Sequence, residues 1–98
     1  MPAFLSLELC GEIKIRTGSW GVDNSYSFGS CASNTLSTYS SYTEFVEECC
    51  LEPGTYTLEC KCSHGDGWHG GYVEIAGVRY CENFVDGPLQ TFEVEWGS

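Results

Sequence analysis

A chain of 98 residues has room for one domain and only a thin hydrophobic core, so staples beyond packing are expected. Its apolar fraction of 42% is that of a globular protein, and no apolar run nears the ~20 residues of a membrane-spanning helix, so disorder and a transmembrane helix are set aside. Fourteen acidic side chains against four basic ones, net −10, repel phosphate backbones and anionic lipid headgroups, which makes nucleic acid and direct membrane insertion poor partners.

The periodicity is two almost throughout. Leu5, Leu7, Leu9, Gly11, Ile13 and Ile15 alternate with Ser6, Glu8, Cys10, Glu12 and Lys14, which predicts a long half-buried strand, with Gly11 as its bulge or bend. Turn residues follow at Thr17 to Gly21 and at Gly29-Ser30, and Tyr26 and Phe28 alternate in a short strand between them. The Ser- and Thr-rich stretch 33–42 reads as a loop or weak edge strand. Strand pattern returns over 45–51, breaks at Glu52-Pro53-Gly54, and resumes with Tyr56, Leu58, Cys60 and Cys62 on one face. The break reads as a turn in which Pro53 fixes φ and Gly54 supplies a positive φ. Ala76-Gly77 between Val73-Ile75 and Val78-Tyr80 predicts a hairpin, and Phe92, Val94 and Trp96 predict a closing strand. Seven or eight short strands with no 3.6-residue period indicate an all-β fold, an antiparallel, jelly-roll-like β-sandwich. It would fill residues 1–98 as a single domain, with its module core at about 6–96.

Seven cysteines, Cys10, Cys31, Cys49, Cys50, Cys60, Cys62 and Cys81, with only two histidines favour a disulfide framework over a zinc site. Six would pair and one would be left over; the sequence does not choose the pairing. Disulfides imply an oxidising compartment and a secreted protein, yet Met1-Pro2-Ala3-Phe4-Leu5 carries neither a basic nor a long apolar segment of a signal peptide. The expectation is a removed signal or one module of a larger protein.

The segment Cys60 to Gly71 holds four glycines, both histidines and Trp68. Gly65 to Gly70 matches G-x-G-x-x-G formally, but strand pattern follows it where a dinucleotide site needs a helix. Cys60, Cys62, His64 and His69 have the elements of a zinc site at an unusual spacing, and bridged thiols outrank it. Asp66 in a glycine-flanked loop, with Asp23 as a second carboxylate, fits calcium, which takes oxygen ligands; the alternative is that Asp66 only caps the turn.

Three runs carry a resemblance: Cys49-Cys50-Leu51-Glu52-Pro53-Gly54-Thr55-Tyr56-Thr57-Leu58-Glu59-Cys60, Gly65-Asp66-Gly67-Trp68-His69-Gly70-Gly71-Tyr72, and Tyr80-Cys81-Glu82-Asn83-Phe84. They resemble secreted eukaryotic cysteine-rich β modules with a "CLPxGxYxL…GDGWxGG" signature, often in tandem. The likeness spans about residues 6–95, including Ser19 to Cys31. It implies an extracellular, disulfide-stapled β domain used in binding or assembly, with no catalysis. Cys62 stands where the signature places an Asp, and the departure raises a disulfide of Cys62 with Cys10 in place of an ionic tie.

For catalysis the residues offer little. Both histidines sit in one loop, no nucleophile motif is present, and carboxylates such as Glu93 and Glu95 share a strand face without a cleft. The sequence therefore predicts a non-enzymatic extracellular recognition or adhesion module, calcium-dependent through loop 65–71. Trp68, His69, Tyr72 and Glu74 are its candidate ligand-binding residues, for an extracellular protein or a glycan. The alternative is a structural subunit of an extracellular matrix or fibre that self-associates through sheet edges or the leftover cysteine. Trp68 packing into the core is the competing reading of that residue, and Trp96 is read as core.

Overall fold

The computed structural model describes residues 8–18, 24–32, 42–62, 65 and 67–97. Among them lie eight strands and no helix: β1 (Leu9–Arg16), β2 (Asn24–Phe28), β3 (Cys31–Ala32), β4 (Glu44–Leu51), β5 (Gly54–Cys62), β6 (Tyr72–Ile75), β7 (Val78–Tyr80) and β8 (Leu89–Trp96). All pairings are antiparallel and form two four-stranded sheets, the first in the order β4-β1-β6-β7 and the second in the order β3-β2-β5-β8.

Alternation decides which side chains are shared between the sheets. Ile13, Ile15, Leu51, Val73 and Ile75 of the first sheet meet Tyr26, Phe28, Leu58, Val94 and Trp96 of the second in one buried cluster. The predicted faces hold: Leu58, Cys60 and Cys62 are all buried along β5, and Tyr26 and Phe28 along β2. The strand orders run in step, so the sheet edges meet as well. At one edge the Cys31–Cys49 bridge joins β3 to β4, and at the other Tyr80 of β7 packs on Phe92 of β8 with ring centroids 5.5 Å apart.

The three disulfides are Cys10–Cys50, Cys31–Cys49 and Cys60–Cys81. The neighbours Cys49 and Cys50 face opposite sides of β4, so one enters the core and the other stays on the surface. Cys49 is bridged through the interior to β3, while Cys50 lies directly across from Cys10 on β1, Cα atoms 4.0 Å apart. The Cys10–Cys62 pairing raised by the sequence is thereby overturned. Cys10 is on the outer face of the first sheet, whereas Cys62 is 2% exposed on the inner face of the second. A bridge typically contributes ~2–4 kcal/mol in a domain whose total stability is on the order of 5–15 kcal/mol.

Three local expectations change. Gly11 makes no bulge, since the β1–β4 register runs unbroken from Leu9↔Leu51 to Arg16↔Glu44. Its role is close approach: a Cβ there would sit 3.1 Å from the Trp96 ring, which lies over the strand. Gly54 is not in the positive-φ region and begins β5, and Glu52-Pro53 carries the chain from one sheet to the other instead of closing a hairpin. The Ala76-Gly77 hairpin is present, with φ of 50° and 82°, the pair of positive values a two-residue type I′ turn requires. The stretch 33–41 lies outside the described residues.

Candidate functional site

The glycine-rich loop is built by backbone meeting backbone. The Trp68 amide donates to the Phe84 carbonyl at 2.9 Å, the Gly87 amide to the Gly65 carbonyl at 2.9 Å, and the Gly71 amide to the Trp68 carbonyl at 2.9 Å. A Cβ on Gly67 would stand 2.3 Å from the Phe84 carbonyl oxygen, and one on Gly71 would stand 2.4 Å from that of Arg16. Glycine is required there because the chain runs against its neighbours with no space for a side chain. Trp68 is 0% exposed, and its indole N–H donates to the Lys61 carbonyl at 2.9 Å. With both faces enclosed and its polar edge satisfied, it pins the loop to the core and presents no surface to a ligand, so the core reading of Trp68 replaces the binding one.

The other three candidate binding residues divide. His69 is exposed at a turn with φ of 51°, its backbone carbonyl set against Gly18. Tyr72 and Glu74 belong to β6 and share the outer face of the first sheet, where Arg79 of β7 unites them. The Arg79 guanidinium lies 4.2 Å from the Tyr72 ring centroid, and its Nε and Nη1 donate at 3.4 Å to Glu74 and Glu82. Tyr72 is therefore the seat of a cation and not an open aromatic platform. Tyr72 and the two carboxylates raise the Arg79 pKa above its ordinary value, Tyr72 most of all and the Glu74 hydrogen bond next.

Cross-strand register extends this cluster over the sheet. Val46, Lys14, Glu74 and Arg79 stand in one row across all four strands, and Glu44, Arg16 and Tyr72 form the next. Three of the four basic residues of the chain lie on this face, with Val46 on its edge strand 52% exposed. The outer face of the second sheet differs in chemistry. There Ser27 donates to Glu59 at 3.0 Å and Thr57 to Glu93 at 2.7 Å, hydroxyl to carboxylate. Arg79 was missed in sequence because Tyr72 and Glu74 come from the neighbouring strand β6; its place opposite Glu74 in a short hairpin, with Glu82 three residues on, pointed to it.

Of the carboxylates assigned to calcium, Asp66 and Asp23 lie outside the described residues. One neighbour is informative. Asn24, opposite Cys62 at the base of the loop, is 6% exposed, and neither its amide oxygen nor its amide nitrogen has a hydrogen-bond partner. A cleft of about 320 Å³ opens at the far end of the sandwich between Leu9, Gly11, Ala76 and Trp96, with Glu12 at its rim. The Trp96 indole N–H there is already used by the Leu9 carbonyl at 3.0 Å.

Comparison with protein-family models, with curated proteins and with solved structures found no match. The likeness to cysteine-rich β modules thus rests on the quoted motifs alone.

Proposed function

We propose that this chain is a non-enzymatic extracellular recognition module that binds through the outer face of the first sheet. The observation that carries the reading is Arg79, a half-exposed guanidinium seated on Tyr72 and braced by Glu74 and Glu82. A side chain ordered before docking loses little entropy on binding, and Arg and Tyr are enriched where proteins meet. The rows of alternating charge beside it suit a partner of complementary pattern, which sets orientation and selectivity more than affinity. The partner class is an extracellular protein or, second, a glycan. Three disulfides support an extracellular setting.

The test is capture of the oxidised domain on arrays of extracellular proteins and glycans, with Arg79→Glu as comparison. Loss of signal at unchanged melting supports the reading, and equal capture by both forms overturns it. Calcium dependence draws on Asn24, whose buried amide oxygen is the kind of donor calcium takes. An ion at 100 times its dissociation constant adds ~2.7 kcal/mol, so melting several degrees higher in calcium than in chelator is the expected result. Identical melting removes calcium from the reading. Assembly as a fibre subunit through the leftover cysteine has less to rest on, because Cys62, the cysteine outside the three bridges, is buried.

A further inference from the structure

The three bridges differ in their access to solvent. Cys49, Cys60 and Cys81 are 1%, 0% and 2% exposed, so each interior bridge has at least one cysteine sealed in the core. Cys10 is exposed and Cys50 half-buried, on the outer face of β1 and β4. Thiol–disulfide exchange needs a thiolate to reach a sulfur, and exposed bridges are the labile ones. The same two sulfurs have a third ligand beside them: Cys10, Cys50 and the Glu48 carboxylate place their donor atoms within 4.8 Å of one another. Glu12, directly opposite Glu48, extends the set along the same face.

We propose that Cys10–Cys50 is a reducible bridge whose opening creates a site for a thiophilic divalent cation, zinc or cadmium, held by Cys10, Cys50 and Glu48. A dithiol reductant supplies the electrons. Its thiolate attacks the Cys10 sulfur, the more accessible one, and Cys50 leaves as a thiolate. The second thiol of the reductant then resolves the mixed disulfide. Two electrons and two protons pass to the protein, and the reductant ends as its own disulfide. Metal binding displaces the thiol protons and leaves two thiolates and a carboxylate on the ion, with water or Glu12 completing the four ligands zinc takes. The β1–β4 ladder and the two interior bridges hold the ligands on adjacent strands while the surface bridge is open.

The oxidised chain is treated with limiting dithiothreitol and pulse-alkylated, and the labelled peptides are mapped. Label at Cys10 and Cys50 ahead of the other bridged cysteines is expected; equal or earlier label at Cys60 and Cys81 overturns the proposal. The partly reduced protein is then titrated with cadmium and followed by sulfur-to-metal charge-transfer absorption. One ion per chain is expected, with no such signal from the oxidised form; the absence of binding after selective reduction overturns the site. Glu48→Gln should weaken the ion by at least the ~10-fold that even an outer-shell change costs, and unchanged affinity removes Glu48 from it. Cys62→Ala should bind cadmium as wild type does, and loss of binding there would assign the metal to Cys62 and overturn the proposal.

Discussion

In the loop at 65–71 backbone lies against backbone, whereas on the outer face of the first sheet side chain lies against side chain. The first arrangement leaves no slack. Gly67 and Gly71 are within 2.4 Å, measured from a hypothetical Cβ, of carbonyl oxygens that belong to other segments and are themselves held in place. The second is adjustable, since Arg79, Glu74 and Glu82 meet at 3.4 Å, partly in water, on side chains that can turn. A region with no space for a side chain at Gly67 or Gly71 is fixed by the fold, and one that tolerates change without unfolding is available for recognition. Gly67, Trp68 and Gly71 in the loop therefore report packing.

The largest effect is expected from Gly67→Ala. The new methyl meets the Phe84 carbonyl at 2.3 Å on a backbone with φ of +81°, so strain and overpacking together cost about 3–5 kcal/mol. Urea unfolding measures it, and a variant as stable as wild type would break the comparison at its firmest point. Trp68→Phe is expected to cost less, about 2 kcal/mol, because the ring stays apolar while the Lys61 carbonyl loses its indole donor and some volume is vacated. A larger loss of binding than of stability in this variant would return Trp68 to the recognition surface.

Much of the fold was legible because inward and outward residues alternate along β2, β5 and β8 and, from Gly11 onward, along β1. The hairpin at Ala76-Gly77 was legible from two residues. Sheet order was not, since apart from β2–β3 and β6–β7 the strands pair with partners far along the chain. Pro53-Gly54 shows the limit: the same dipeptide serves a hairpin or a crossing between sheets, and only the partners of β4 and β5 distinguish them. The candidate face was hidden for the same reason, as Val46, Lys14, Glu74 and Arg79 become neighbours only once three registers are set. The cysteine pairing was half-legible: alternation separates Cys49 from Cys50, but their partners follow from topology. Ala76 gives a smaller prediction. An alanine at φ of 50° is strained by ~1–2 kcal/mol relative to right-handed backbone, and Ala76→Asn, better suited to that conformation, should recover about 1 kcal/mol. Melting should rise by roughly 4–8 °C. An unchanged melting temperature would mean that the hairpin carrying Arg79 is not under the strain its backbone implies.

The smallest effect on stability, and the sharpest on function, is expected from Arg79→Ala. The guanidinium is on the surface, its partners are in water, and pairs of this kind contribute little to folding. Melting should stay nearly where it was. Tyr72, uncovered, would gain an exposed ring face, so near-ultraviolet circular dichroism should change while the three bridges remain intact. Binding should fall, and the form of the loss is specific. Arginine stays charged at every pH at which the domain is folded, and its partners here raise its pKa further, so capture through Arg79 should be insensitive to pH. It should instead weaken with salt, as contacts between exposed charges are screened within about 8 Å at physiological ionic strength. Salt-sensitive capture in wild type that Arg79→Ala abolishes would place recognition on the first sheet. Capture that Arg79→Ala leaves unchanged would move recognition away from the first sheet, reversing the roles of the two regions.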